Sequence, residues 1–291
     1  MHILVTNDDG VTAPGLLALA EGMRRLGKVS VLAPDHDWSG GGHVKTLNRP
    51  LRVRRVKLAD GSSAFTSDGA PSDCVALALM GLLNEKIDLV VSGVNTSANL
   101  GHDVTYSGTV TAVMEGIIWG VPGVAVSLDG RGVSSWELDY GLAVEVACQV
   151  VQTVIEKGLP ERTFLNVNVP NLPMSELQGV QMTRQGLRVY RDRLDKRQDP
   201  RGNDYYWIGG DRPTGVPKEG TDVGALAQGY ASVTPLQLDL TAYHALSVLA
   251  DWEWPAPVVM TPALGAVLPE VAGSGNGRVP FEPVKLESVA V

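Results

Sequence analysis

Two cysteines in 291 residues, Cys74 and Cys148, form no metal-ligand pattern; each lies in a segment that reads as helix and is expected as a small buried core residue. Long apolar runs are also missing. None approaches the roughly 20 residues that cross a bilayer, and no leader-like segment is read at the amino end. The expectation is a cytoplasmic protein with no membrane partner. Positive charge is short as well: 24 Lys and Arg stand against 32 Asp and Glu, a formal charge of −8. That balance excludes the broad basic face that a nucleic-acid polymer needs. An acidic protein that handles phosphate has to cancel the phosphate charge locally, with a cation or with backbone N–H groups. The 44% hydrophobic and 19% charged content is ordinary for a globular chain, and the length suits one large α/β domain or a domain with an appendage.

The first ten residues organise the rest. Ile3-Leu4-Val5 reads as a strand buried on both faces, and it ends abruptly in Asn7-Asp8-Asp9-Gly10. Adjacent side chains on a strand point to opposite faces. Both aspartates therefore serve one point only if the backbone leaves the strand at Asn7 or Asp8, and Gly10 permits that turn. Pro14 suits the first turn of a following helix. Two carboxylates at the carboxyl end of a parallel strand lie where open α/β sheets bind ligands, and a hard divalent cation relieves their repulsion. An Asx turn or a helix cap satisfies the same residues, and these ten alone do not choose.

Downstream, a helix from Pro14 to Leu26 and a strand at Val29–Ala33 complete a βαβ unit, whose next loop, Pro34 to His43, opens on the same sheet edge as Asp8 and Asp9. Ser39 in that loop suits a ligand, a nucleophile or a turn former. Gly40-Gly41-Gly42 suits a phosphate cradle or a flexible turn. An edge strand is expected at Leu51–Val56, and a helix from Pro71 with a stripe of Val75, Ala78, Leu79, Leu82 and Leu83. After a strand at Ile87–Ser92 comes a long Gly/Asn/Ser/Thr loop, Gly93 to Thr109, of a length usually tied to function. Ser107-Gly108-Thr109 precede a helical stripe and so stand where orphan N–H groups favour an anion. Asn95 offers an amide oxygen in the same crevice as Asp8 and Asp9. A strand at Val124–Leu128, a helix from Glu137 to Lys157 and a strand at Phe164–Val169 follow. Beyond Gly179 the rhythm stops. The charged run Asp192–Gly202 reads as a solvated loop or intersubunit contact, Tyr205-Tyr206-Trp207 as interface packing, and the chain past Pro262 as a disordered tail.

Taken in order, Thr6-Asn7-Asp8-Asp9-Gly10, Ser39-Gly40, Val91-Ser92-Gly93-Val94-Asn95, Asn99-Leu100-Gly101 and Tyr106-Ser107-Gly108-Thr109-Val110 resemble the stationary-phase survival protein SurE family of metal-dependent nucleotidases. So do Leu165-Asn166-Val167-Asn168-Val169-Pro170, Asp199-Pro200-Arg201-Gly202, Gly229 to Leu236 and Asp239-Leu240-Thr241. Trp38 and the Gly40–Gly42 run stand where that family varies, and Val44 replaces a frequent small polar residue. The resemblance implies an α/β, Rossmann-like, mostly parallel sheet flanked by helices, with a carboxyl-side β-hairpin within residues 179–230 used for oligomerisation. It implies one domain over residues 1–261, assembled as a homodimer or homotetramer. The implied activity is hydrolysis of nucleoside 5′- and 3′-monophosphates with Asp8 and Asp9 catalytic. One divalent ion per subunit, Mg or Mn, is implied at Asp8, Asp9, Ser39 and Asn95. The implied phosphate contacts are Gly40, Asn99, Ser107, Gly108 and Thr109. The competing readings are a nucleotide-binding regulatory module without turnover and a sugar-nucleotide transferase.

Overall fold

The βα alternation is realised in a computed structural model that describes residues 1–130 and 132–252. In chain order the core elements are β1 (His2–Thr6), α1 (Pro14–Arg24), β2 (Lys28–Pro34), β3 (Val53–Lys57), β4 (Ser63–Ser67), α2 (Pro71–Leu77), β5 (Leu89–Asn95), α3 (Gly108–Ile118), β6 (Gly123–Asp129), α4 (Gly141–Lys157) and β7 (Thr163–Pro170). Then come β8 (Val180–Met182), β9 (Arg188–Gln198), β10 (Asp204–Gly215), α5 (Asp222–Ala227), β11 (Ala231–Gln237) and α6 (Tyr243–Ala250). The sheet order is β3-β4-β2-β1-β5-β6-β7-β11-β8, with β4 through β7 parallel and β3 and β11 antiparallel to their neighbours β4 and β7.

Continuous apolar runs form the central strands because both sheet faces are covered. Ile3 and Val5 feed the core under α1 and α4, while Leu4 between them feeds the core under α2 and α3. Leu89 and Val91 against Val90, and Val124 and Val126 against Ala125, divide the same way. Full burial of each Val, Leu or Ile stabilises the fold by about 1.5–3 kcal/mol relative to exposure. From β1 the chain winds outward to β2 on one side and returns through β5 on the other. The gap between the carboxyl ends of β1 and β5 is thus a topological switch point, where such sheets bind ligands.

Several elements differ from expectation for identifiable reasons. A fifth strand of the first half, β4, was not legible: Ser63–Ser67 is short, polar-flanked and pairs with both β2 and β3. α2 ends at Leu77 and a wider turn carries on to Leu82, where Gly81 at φ 107 breaks the helical period. Leu82 is consequently 37% exposed instead of continuing the stripe. The charged run expected as a loop is mostly β9, paired along its length with β10. It shows no apolar alternation because the hairpin covers no core; cross-strand charge pairs such as Lys196–Asp204 at 2.6 Å line it instead. Only Asp199–Gly202 turn, with Asp199 Oδ1 accepting from the amides of Arg201 and Asn203 at 2.8 and 2.9 Å.

The chain divides into two units, Met1–Gln237 and a shorter one from Leu238. The second contributes α6 to the described residues. The expected tail, 262–291, lies outside the described residues.

Candidate active site

The turn after β1 has the geometry the two aspartates require. Gly10 takes φ 98, and a Cβ there would stand 3.3 Å from the His36 backbone. Asn7 closes the turn by donating its amide to Gly10 O at 3.1 Å. Asp8 is 3% exposed, and its carbonyl accepts the Trp38 amide at 2.8 Å. That bond lays the loop after β2 against the turn after β1 and brings Ser39 in. Ser39 itself is oriented by Asp37, whose Oδ1 accepts both the Ser39 amide at 2.7 Å and its hydroxyl at 2.6 Å.

The head of α3 arrives from the other side. Ser107 caps the helix, accepting from the Val110 amide at 3.1 Å. Gly108 packs so closely on Asp8 that an added Cβ would meet Asp8 Cβ at 2.7 Å and Oδ2 at 2.9 Å. Thr109 is fully buried and donates its hydroxyl to Asp8 Oδ1. It thus stands behind Asp8 and orients it. Asn95 is the last residue of β5, beside β1; its amide nitrogen donates to Ser97 O at 2.7 Å, which turns the carbonyl oxygen free for other use. Asp8, Ser39, Gly40, Asn95, Asn99 and Ser107 line one cleft of about 1040 Å³. Asp9, Gly108 and Thr109 adjoin the lining residues Asp8 and Ser107 in the chain but do not themselves line it.

Electrostatically this is a strained acidic site. Burial pushes the Asp8 carboxyl above the usual carboxylate range, against the hydrogen bond from Thr109. Burial, then the charges of Asp8 and Asp37, push Asp9 up to about 7. Asp9 Oδ2 is buried with no hydrogen-bond partner, as is Asn7 Oδ1. Burial and the nearby Asp9 push Tyr140 up to about 12. A divalent cation removes this penalty, and every available donor is oxygen: two carboxylates, one hydroxyl, one amide. That set fits a hard ion such as Mg or Mn. Among the described residues no three or more His, Cys, Asp and Glu side chains form a group that could hold a metal ion, so a cation here would draw on the hydroxyl and amide oxygens beside the two carboxylates.

Comparison with known proteins places the chain among relatives of known family. The family model described as "Survival protein SurE" matches residues 3–192. A 5′-nucleotidase SurE from Chloroflexus aggregans is 50% identical over 254 residues, 87% of this chain and 100% of that protein. The 5′-nucleotidase SurE of Herpetosiphon aurantiacus is 52% identical over 255 residues, 87% of this chain and 99% of that protein. The chain belongs to the SurE family. The crystal structure of a SurE protein from Aquifex aeolicus superimposes with a TM-score of 0.73 at 42% identity, covering 86% of this chain and 98% of that one.

Within this SurE fold, Asn99, expected as a phosphate contact, and several residues to which the sequence assigned no role hold the site in shape. Asn99 receives four hydrogen bonds' worth of anchoring: its amide donates to Asn168 Oδ1 (2.7 Å), its side chain to Ser127 Oγ (2.8 Å), and its carbonyl accepts from Asn166 (2.9 Å) and Asn168 (3.1 Å). The alternating asparagines of β7 were the available signal: an i, i+2 polar pair inside a buried strand needs a partner. Asp222, fully buried, accepts the amides of Gly101 (2.8 Å) and Gly186 (2.7 Å), joining the loop before α3 to the base of the hairpin. Arg188 Nε lies 2.6 Å from Asp103 Oδ2, an ion pair off the line of a hydrogen bond, and Tyr190 donates to Asp103 Oδ1 at 2.6 Å. Asp37 announced itself only as an Asp two residues before a Ser, the spacing of an Asx turn.

Proposed function

We propose that this SurE-family chain is a metal-dependent 5′-nucleotidase, releasing phosphate from nucleoside 5′-monophosphates and also from 3′-monophosphates. The observation that carries the reading is the contact between Asp8 and the head of α3: an acidic couplet and an anion-receiving helix tip abut at the switch point. The names of the 5′-nucleotidase SurE relatives support the same activity.

Asp8, Asp9, Ser39 and Asn95 would hold one divalent ion. Bound there, it supplies charge neutralisation at the phosphoryl oxygens and lowers the pKa of a coordinated water. The protein's share is positioning and charge placement, which must carry most of a rate enhancement that reaches up to ~10²¹-fold for phosphate monoesters. Gly40, Asn99 and Ser107, which line the cleft, receive the phosphate oxygens at the positive end of α3, and Gly108 lets the helix head pack against Asp8. Thr109 fixes Asp8 from behind. One aspartate of the pair orients the attacking water and accepts its proton as the oxygen bonds to phosphorus. The ester P–O bond breaks on the opposite side, and the departing nucleoside oxygen takes up a proton.

The cleft exceeds what phosphate alone requires, and a volume near 1040 Å³ matches the upper end of sites for whole small molecules. The hairpin exposes apolar side chains on both faces, Tyr206 and Ile208 (53% and 84%) on one and Trp207 (61%) on the other, surfaces suited to a second copy in a homodimer or homotetramer. No helix among the described residues is long and apolar enough to cross a membrane, and a cytoplasmic location fits the nucleotide substrate.

The test is phosphate release from a panel of 5′- and 3′-nucleoside monophosphates, with EDTA, with Mn²⁺ restored, and with Asp8→Asn. Metal-dependent release abolished by the substitution is expected. Nucleotide binding without release identifies a regulatory module; intact monophosphates with sugar-nucleotide consumption identify a transferase.

A further inference from the structure

Glu115 is a buried carboxylate that none of the chemistry above uses. It sits about two turns into α3, 2% exposed, on a helix whose head supplies the anion site. Three donors converge on it: Trp119 Nε1 at 2.9 Å and Lys45 Nζ at 3.0 Å on Oε1, and His43 Nε2 at 3.0 Å on Oε2. Two of the three come from the loop that carries Ser39 and Gly40.

That loop runs along α3 and is pinned as it goes. The Gly42 amide donates to Tyr106 O at 3.0 Å, and Gly42 O lies 3.0 Å from the Thr111 hydroxyl, which shares its single hydrogen with Ser107 O at 2.8 Å. Further on, Thr46 donates its amide and hydroxyl to Asp73 of α2 at 2.9 and 2.6 Å. Between Ser39 and His43 lie three glycines, two with φ of 76 and 61. Such a run holds no single shape by itself; its shape comes from where its ends are fixed. Trp38 fixes one end on Asp8. Stability gives no sufficient reason for the charged contact at the other end, since well-packed apolar residues often replace buried ion pairs without loss.

We propose that Glu115 is a positioning residue: through His43 and Lys45 it sets where Ser39 and Gly40 stand relative to Asp8 and the head of α3. One helix then carries the anion site at its tip and the fastener for the opposing loop on its flank, so the two halves of the site share one rigid reference. The inference rests on the proposed roles of Ser39 and Gly40 toward cation and phosphate.

The experiment uses the full chain. Hydrogen exchange of residues 38–46 is read by mass spectrometry, and binding of Mn²⁺ and of inorganic phosphate by calorimetry. The variants are Glu115→Gln, His43→Ala, Lys45→Met and Lys45→Arg, with Asp60→Asn, on the remote Arg24–Asp60 surface pair, as control. Glu115→Gln, His43→Ala and Lys45→Met should speed exchange in 38–46 about tenfold and weaken Mn²⁺ binding about tenfold, the low end of the loss seen when groups supporting metal ligands are removed. Lys45→Arg should restore both, and Asp60→Asn should change neither. If Glu115→Gln does not fold, the two partly exposed loop residues carry the test. Faster exchange with Mn²⁺ and phosphate affinities within twofold of the parent overturns the proposal, and so does weaker binding with unchanged exchange. A parent protein that binds phosphate but no Mn²⁺ removes the cation reading, and the exchange and phosphate data then decide the fastening without it.

Discussion

Replacing Gly108 by alanine adds a single methyl group at the point where α3 meets the acidic turn. The new carbon would lie 2.7 Å from Asp8 Cβ and 2.9 Å from Oδ2. Carbon atoms rest about 3.5–4.0 Å apart, so Asp8 and the helix head have to separate by about 1 Å. Asp8 has no room to yield freely: it is 3% exposed, its carbonyl holds the Trp38 amide and its Oδ1 holds the Thr109 hydroxyl. Fold stability should suffer little. Overpacking costs about 1–3 kcal/mol, and alanine in a helical position returns about 0.5–1 kcal/mol over glycine. The net change corresponds to a melting shift of only a few degrees at this size. Function should suffer far more, since a misplacement near 1 Å costs roughly 10²-fold in rate. The expected result is a folded protein with kcat/KM for a nucleoside monophosphate reduced about 100-fold. Gly116→Ala is the matched control. It is on the same helix and its added carbon meets Val90 Cγ2 at 3.0 Å, in the core and away from the cleft. It should cost similar stability and leave turnover near the parent value. Gly108→Ala turnover within threefold of the parent, in a sample melting normally, would refute the claim that Asp8 and the α3 head work at contact distance.

Asp9→Asn should abolish turnover while leaving the metal-free protein at least as stable as its parent, because burial and the charges of Asp8 and Asp37 already hold this carboxyl up to about 7; a melting point lowered by many degrees would contradict that. Exhaustive chelation should silence phosphate release and Mn²⁺ or Mg²⁺ should restore it; full activity after chelation would exclude the cation. Glu115 gives a pH signature of opposite sign. Burial raises its pKa, but hydrogen bonds from His43, Trp119 and Lys45 outweigh burial and hold it near about 2, below the ordinary 4.5. A depressed carboxylate contributes stability that is whole above about pH 4.5 and is lost as pH falls toward 2. Each unit is worth about 1.4 kcal/mol, and screening at the partly exposed His43 and Lys45 (29% and 48%) discounts the total to about 1–2 kcal/mol. The melting gap between parent and Glu115→Gln should therefore hold steady down to about pH 5 and narrow progressively as pH falls from there toward 2; a constant gap would remove the ionic contribution.

Much of the fold was legible because its logic is local. Uninterrupted apolar strands announce a sheet covered on both faces, and β1, β2, β5, β6 and β7 fell close to where periodicity put them. What failed lacked a local signature. β4 is a short polar strand held by its neighbours, and β9–β10 pairs by backbone and charge with no core to impose alternation. The wide turn after α2 depends on one glycine's φ. In the site, Asp8 and Asp9 stood out because carboxylates ending a buried strand are chemically conspicuous, and Ser107 because a capping residue opens a helix.

The residues that hold the site in shape were hidden for a different reason: their meaning lies in a partner far along the chain. Asn168 is an odd polar residue in a strand until Asn99 arrives 69 residues away to meet it. Glu115 is a polar residue on an apolar helix until His43 and Lys45 fold back onto it. Each is buried, and a buried polar group must be satisfied or cost about 1–3 kcal/mol. At Asn166, Asn168 and Glu115 the polar residue that interrupts an apolar element marks where a loop from elsewhere docks, whereas Thr6, Ser92 and Ser232, equally buried in strands, have hydroxyls with no such partner. In this chain two such loops, one bearing Ser39 and one bearing Asn99, are among the segments that line the cleft. The interrupting asparagines and glutamate mark where the cleft is tethered, and what separates them from the strand hydroxyls is a side chain long enough, with enough donors and acceptors, to reach a loop.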